Sequence, residues 1–375
     1  VSDFLAAVAG WAVIAMKKQL GETLFKSMPL EIVITVPAVW SDKAKNLTFQ
    51  AVSKAGFGEQ AKIKMVTEPE AAAIYTLRSL KEKFGSSYVQ PNDHFVLCDA
   101  GGGTVDLLSY KVTSVEPSFR VQEAAVGTGD KCGATFIDRN FKTWLKKKLG
   151  EKVYESIPAA KLQEGSKIRR DFENIKNNFD GGDEDQYLTL PKEAVREDDE
   201  ENGFVDGELR LTCEDLTEIF NPCVNRTLEL IDGQVAEIHK TGARVKCVFL
   251  VGGFGKSNYL FKKIEEYAVE RGFSAMRPAN PWSAVARGAV ARGLEPDGAG
   301  MVELRKCRLH YGTPVAQRFI PGVHSESDAY IDELTGEKRA RGQMRCKFKI
   351  EGNATDSVLT IHLIRASKYG RSIDR

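Results

Sequence analysis

Cys98-Asp99-Ala100-Gly101-Gly102-Gly103-Thr104-Val105-Asp106 stands between two runs that alternate like strands, His94–Asp99 and Val105–Val112. Three consecutive glycines, Gly101, Gly102 and Gly103, carry no β-carbons, so a polyphosphate can approach the backbone closely and meet its N–H groups. Asp99, at the end of the first strand, suits a Mg²⁺ ion that keeps most of its waters. Thr104 offers a hydroxyl to a terminal phosphate, and Asp106 can orient a water or complete the metal shell. A glycine-rich hairpin turn that binds nothing has no need of two flanking carboxylates.

Another stretch advertises phosphate binding, Leu250–Asn258, which reads L-V-G-G-F-G-K-S-N. Its Gly255-Lys256-Ser257 matches the end of a P-loop, G-x-x-x-x-G-K-[ST], but the position that needs the first glycine is Leu250. Gly252 and Gly253 are out of register. A P-loop is excluded, and the two glycines at a strand end remain to be explained.

The 375 residues allow two domains or one large α/β body with lobes, and the 42% hydrophobic and 28% charged fractions are those of an ordinary globular protein. A formal net charge of +1 points to neither a nucleic-acid nor an anionic-membrane partner. The densest basic cluster, Lys146-Lys147-Lys148, precedes Gly150 and suits the last turn of a helix, where cations complement the dipole. Seven scattered cysteines without a C-x-x-C pair fit reduced thiols, hence a cytoplasmic or nuclear setting, and the five dispersed histidines show no zinc spacing. Phe4 to Met16 is apolar but short for a bilayer, and we expect a buried helix between Asp3 and Gly21. The absence of an initiator methionine is expected if the chain is cut from a longer one.

Along the chain, Leu30–Pro37 reads as a strand, Ser41-Asp42 as the cap of a helix to about Ala55, and Lys62–Thr67 as a short strand. Pro69 opens a helix through Leu80. Gly85–Asp93 is the best lobe boundary. After the glycine loop come a strand at Phe119–Val126, a glycine-bearing loop, and helices at Ala134–Leu149 and Gly165–Phe179. A solvated acidic loop separates hairpin strands Gln186–Leu190 and Glu208–Leu211. Thr212-Cys213-Glu214-Asp215 has the form of a capping box for a helix to about Lys240. A strand at Val245–Val251 and helices from Asn258 and over Pro281–Leu294 close this body. Beyond Glu295 we expect a small β-rich segment, with strands at Met344–Ile350 and Ser357–Ile364 and turns at Gly336 and Gly352.

The loop D-x-G-G-G-T-x-D resembles the second phosphate motif of the heat-shock-seventy (DnaK-type) chaperones, within the actin–hexokinase ATPase superfamily. Ile34-Thr35-Val36-Pro37-Ala38 is similar to that family's I-T-V-P-A strand, and Thr67-Glu68-Pro69-Glu70-Ala71-Ala72-Ala73 to its N-E-P-T-A-A-A helix. Val251-Gly252-Gly253 resembles its V-G-G adenosine motif, and Asn280-Pro281 through Ala289 its N-P-D-E-A-V-A-Y-G-A segment. The resemblance, in order over residues 1–294, implies an α/β, actin-like (ribonuclease-H-like) two-lobed ATPase. Residues 1–90 would be what remains of lobe I, 91–294 lobe II, and 295–375 a β-rich extension.

It also implies ATP or ADP with Mg²⁺ in the interlobe cleft, hydrolysis coupled to chaperone-type switching, and protein clients or co-chaperones as partners. Carried over by position, Asp99 holds the metal shell and Glu68 a water of that shell or the attacking water. Gly101–Thr104 cradle the β- and γ-phosphates, with Gly127, Gly129 and Gly133 on the neighbouring loop. Glu173 and Lys176 meet the ribose and base, although on a helix face alone they would be an i,i+3 ion pair. Gly252 and Gly253 pack under the adenosine, with Phe254 and Lys256 on the base side.

Where the family stacks an arginine on adenine this chain has Asn177, and its serine, arginine and aspartate on the adenosine side are Phe254, Lys256 and Trp282. Adenine would then lie against Phe254 or Trp282. These departures, with His310-Tyr311-Gly312, are similar to the family-twelve branch. The D-x-G-T hairpin and catalytic lysine that open such ATPases are not among these residues, so the expected hydrolysis is weak or absent. The competing readings are a pseudo-ATPase scaffold or nucleotide sensor, and a small-molecule kinase of the same superfamily.

Overall fold

The computed structural model describes residues 1–38, 40–56, 63–85, 88–116, 119–295, 301–306, 311–333, 335–345 and 364–365. They fall into two compact units, Val1–Arg305 and Lys306–Arg375.

The first unit opens with helices α1 (Ser2–Leu20) and α2 (Glu22–Ser27). The burial expected of α1 is not found: none of its residues is buried, and Phe4, Trp11 and Ile14 are exposed. Strand β1 (Ile32–Val36), helix α3 (Asp42–Lys54) and strand β2 (Ile63–Thr67) follow, the strands pairing in parallel. A parallel pair needs a crossover, and α3 supplies it, capped by Ser41 Oγ, which accepts the Ala44 N–H at 3.3 Å. Helix α4 (Glu68–Phe84) then starts on Thr67, with Pro69 in its first turn.

The centre of the unit is a mixed sheet. Its first strands are β3 (His94–Ala100), β4 (Val105–Ser114) and β5 (Arg120–Asp130), and three more join it from later in the chain. Helices α5 (Ala134–Leu149), α6 (Glu151–Ser156) and α7 (Lys167–Asn178) lead to a small antiparallel sheet of β6 (Gln186–Thr189), β7 (Phe204–Val205) and β8 (Glu208–Leu211), ordered β6-β8-β7. The acidic stretch is therefore more than a solvated loop, because Phe204 within it is buried and pairs with Leu209. Helix α8 (Cys213–His239) carries the expected capping box, Thr212 with Asp215. Strand β9 (Val245–Val251), helix α9 (Asn258–Glu270), strand β10 (Ser274–Met276), helix α10 (Ala284–Gly293) and strand β11 (Val302–Leu304) complete the unit.

The sheet order is β10-β9-β3-β4-β5-β11. β3, β4 and β5 form an antiparallel meander, while β9 runs parallel to β3, β10 to β9 and β11 to β5. Both faces are covered, so the central strands are apolar nearly throughout. Val96, Cys98, Leu107 and Leu250 face a core with residues of α5, α7, α8 and α9, whereas Leu97, Leu108, Phe249 and Val251 face one with residues of α4 and α10. Small residues bring α4 and α10 together: a β-carbon on Gly288 would collide with the Ala71 carbonyl.

The second unit holds an antiparallel sheet of β12 (Tyr311–Arg318), β13 (Ala329–Ile331), β14 (Lys338–Arg345) and β15 (Ile364–Arg365), ordered β13-β14-β12-β15. Gly336, at φ +68°, turns the chain into β14. Most of the expected strands Met344–Ile350 and Ser357–Ile364, the Gly352 turn and His310 lie outside the described residues. No described helix is long and apolar enough to cross a membrane.

Candidate functional site

Asp99 and Asp106 are direct cross-strand partners on β3 and β4, so the glycine loop is the connection between two paired carboxylates. The loop closes on itself through the Gly101 N–H, which donates to Thr104 O at 2.9 Å. Its carbonyls are tied down by the first turn of α5: Ala134 N–H donates to Gly101 O at 3.1 Å and Thr135 N–H to Gly102 O at 2.8 Å. Among the described residues the N–H groups of Gly102, Gly103 and Thr104 have no protein acceptor. With the carbonyls held on one side and donors free on the other, the loop is a concavity for an anion.

Gly129 and Gly133 make this packing possible. A β-carbon at Gly129 would lie 2.5 Å from Asp106 Oδ1, and one at Gly133 2.5 Å from Gly101 O and 2.6 Å from Gly102 O. The glycine-bearing loop expected after Val126 is in fact strand, because β5 continues through Asp130. Between the pairs Leu107↔Thr128 and Ser109↔Ala125 the register shifts. Val126 and Gly127 occupy this bulge on β5. Gln234 of α8 holds it, donating to Val126 O at 2.9 Å and Thr128 Oγ1 at 3.0 Å, while accepting from Ser109 Oγ at 2.6 Å. Nothing in the local sequence announced Gln234.

Three carboxylates act on one another here. Burial first, then the facing charges of Glu68 and Asp106, push the Asp99 carboxyl up to about 7. Glu68, at the start of α4, is raised by burial and then by Asp106. Such a trio favours a cation that would relieve the repulsion. Among the described residues no three His, Cys, Asp or Glu side chains close on one point as direct ligands do. An all-oxygen set spaced more widely than that fits Mg²⁺, which keeps several waters and needs few carboxylates. Thr104 Oγ1 donates to Asp106 Oδ2 at 2.8 Å, so its hydroxyl must turn to reach a phosphate.

At the end of β9, beside β3, Gly252 has φ +91°, and a β-carbon there would stand 2.5 Å from Asp99 Oδ1. Its N–H donates to Pro281 O at 2.9 Å. Gly253 is exposed, with nothing within 4 Å of where a β-carbon would be. Phe254 is buried in the core, so its ring is not offered to a base. Lys256 is exposed, and its Nζ lies 5.1 Å from the centre of the Trp282 ring.

Glu173 and Lys176 pair with each other and with α5. Lys176 is buried and pairs with Asp138 of α5 at 2.9 Å and with Glu173 at 2.6 Å. The i,i+3 ion pair is thus present, and Asp138, which no local sequence signal marks, is its deeper partner. Through α5 it connects to the glycine loop, since Thr135 Cγ2 lies 3.9 Å from where a Gly102 β-carbon would be.

The family model for Hsp70 protein matches residues 6–301. The chain is 25% identical to human heat shock 70 kDa protein 12B over 360 residues, covering 78% of this chain and 52% of the relative. Against human heat shock 70 kDa protein 12A the figures are 24% over 386 residues, with 83% and 55% covered. The chaperone protein DnaK of Nitrosopumilus maritimus is 26% identical over 286 residues, with 74% and 40% covered. The chain spans about half the length of the curated twelve-type relatives it matches. With a family model matching most of its length, and the glycine loop, strand-end glycines and α4 segment in their expected order, this chain belongs to the Hsp70 family.

Proposed function

We propose that this chain binds ATP and ADP with Mg²⁺ in a cleft between an incomplete lobe I, residues 1–90, and lobe II, residues 91–294, of an actin-like fold. Binding would be coupled to chaperone-type conformational switching. The observation that carries the reading is the loop Gly101–Thr104, with its free N–H groups beside the mutually repelling carboxylates Glu68, Asp99 and Asp106. Asp99 directly, and Glu68 through water, would hold the ion, which when bound screens phosphate charge. The Gly102, Gly103 and Thr104 N–H groups would meet phosphate oxygens, and Asp106 would orient water beside them. Gly252 and Gly253 would lie under the adenosine. Glu173 and Lys176 would reach the ribose from α7, Lys176 leaving part of its pairing with Asp138.

Among the described residues the phosphate-side donors would be those of the loop Gly101–Thr104. A single electrostatic contact to a transition state is commonly worth about 2.7–4 kcal/mol, so this polypeptide is expected to bind nucleotide far better than it hydrolyses it. Clients and co-chaperones follow from the family reading alone. Titration of Mg-ATP and Mg-ADP into the purified chain tests the proposal. Saturable binding that EDTA weakens is expected, and no binding at millimolar nucleotide would overturn it.

A further inference from the structure

Trp282 presents an aromatic face at the rim of this site without a core to fill. Its residue is 59% exposed, although its neighbours are fixed. Pro281 O accepts the Gly252 N–H at 2.9 Å, and the buried Ser283 receives Arg287 Nε at 2.9 Å. A lone exposed aromatic residue is unremarkable; the surroundings make this one different. Lys256 Nζ sits 5.1 Å over the ring, on a turn that is itself held. The Lys256 N–H donates to Gly253 O at 3.3 Å, and its carbonyl accepts from Arg277 at 3.0 Å. Beside this pair Gly253 leaves open space. Gly252 joins the two halves, packing on Asp99 and bonding Pro281. The other groups on the base side are engaged elsewhere: Phe254 is in the core, and the Asn177 amide donates to Glu173 at 3.2 Å.

We propose that Trp282 is the base-stacking wall of the site, a binding residue for the purine ring of a nucleoside di- or triphosphate; this rests on the nucleotide-binding reading above. The flat base takes the indole face that the Lys256 ammonium covers, and Lys256 moves to the edge of the base or ribose. The exchange is favourable because a cation over an exposed ring gains little, whereas a base stacked on an aromatic ring gains more contact and releases water.

The test titrates Mg-ADP and Mg-tripolyphosphate into the wild-type chain, Trp282→Ala, Trp282→Phe and Asp99→Asn, following heat and tryptophan fluorescence. Trp282→Ala is expected to weaken ADP about tenfold, within the range of one lost base stack. Trp282→Phe should recover most of that, and tripolyphosphate should bind Trp282→Ala and wild type alike. ADP should quench wild-type fluorescence but leave that of Trp282→Phe unchanged, since Trp11, Trp40 and Trp144 stay in both. If Asp99→Asn weakens ADP while Trp282→Ala binds it as wild type does, the stacking wall is wrong and the nucleotide reading stands. If the wild-type chain binds no Mg-ADP, both are overturned.

Discussion

Gly252 and Asp99 meet across the ends of β9 and β3 so closely that a β-carbon on Gly252 would stand 2.5 Å from Asp99 Oδ1. The backbone there is also left-handed, at φ +91°, a conformation that costs a residue with a β-carbon about 1–2 kcal/mol. Gly252→Ala therefore meets both strain and a clash with Asp99 and the Ala100 carbonyl. We expect a loss of about 2–4 kcal/mol in urea unfolding and Mg-ADP binding weakened more than about tenfold. Gly253→Ala, where nothing lies within 4 Å, should leave unfolding unchanged to within about 0.5 kcal/mol.

The Asp99 carboxyl, raised to about 7, makes stability depend on pH. In the window between the ordinary aspartate value and about 7, the folded state holds a proton that the unfolded state has released. Stability in the absence of Mg²⁺ therefore falls as pH rises through that window and levels off above it. Asp99→Asn should flatten this slope, leaving the part due to Glu68, whose carboxyl is also raised, and raise the midpoint at pH 8 by a few degrees, on the order of 1–2 kcal/mol. Cation binding displaces the same proton, so Mg-ADP affinity should increase from pH 6 to pH 8 in wild type. Thermal unfolding and calorimetry across that range check both signs.

Gly133 lets the first turn of α5 hold the loop carbonyls. Its β-carbon would lie 2.5 Å from Gly101 O, so Gly133→Ala must push the loop away from α5. Tripolyphosphate binding should weaken at least about tenfold, because the aligned Gly102–Thr104 N–H groups lose their support. Thr104→Ala, which removes only the 2.8 Å bond to Asp106, should cost about 1 kcal/mol or less in stability.

Lys176 separates a structural from a ligand role. Its pair with Asp138 is largely buried, and breaking such a pair from one side costs about 3–5 kcal/mol. The second partner, Glu173, reduces that cost when Asp138 is removed. Asp138→Asn should lose about 1–3 kcal/mol yet leave Mg-ADP affinity within about threefold. Lys176→Met should lower both stability and affinity if α7 meets the nucleotide. Unfolding and titration of the two variants decide between these roles.

What the sequence made legible follows from how local each signal was. Asp99 and Asp106 flank a short loop, so their pairing could be read directly, as could the Thr212–Asp215 capping box. β5 is longer than its sequence suggests, because Gly127 and Gly129 look like loop residues. They remain in the strand because Gln234, more than a hundred residues away in sequence, pins the bulge. β10 and β11, of three residues each, are too short to show a period. Phe254 and Trp282 carry no local signal of burial, and only the packing of the turns around Gly253 buries one and exposes the other. The spacing of Glu173 and Lys176 shows an i,i+3 ion pair, their ligand role rests on the resemblance, and Asp138 beneath them carries neither signal.

The most direct test of nucleotide binding at Asp99 is calorimetric titration of Mg-ATP into the wild-type chain and into Asp99→Asn under identical conditions at pH 8. Saturable heat is expected in wild type and affinity lower by at least about tenfold in the variant, with the variant no less stable in the absence of nucleotide. Equal heats and affinities in both proteins would contradict it.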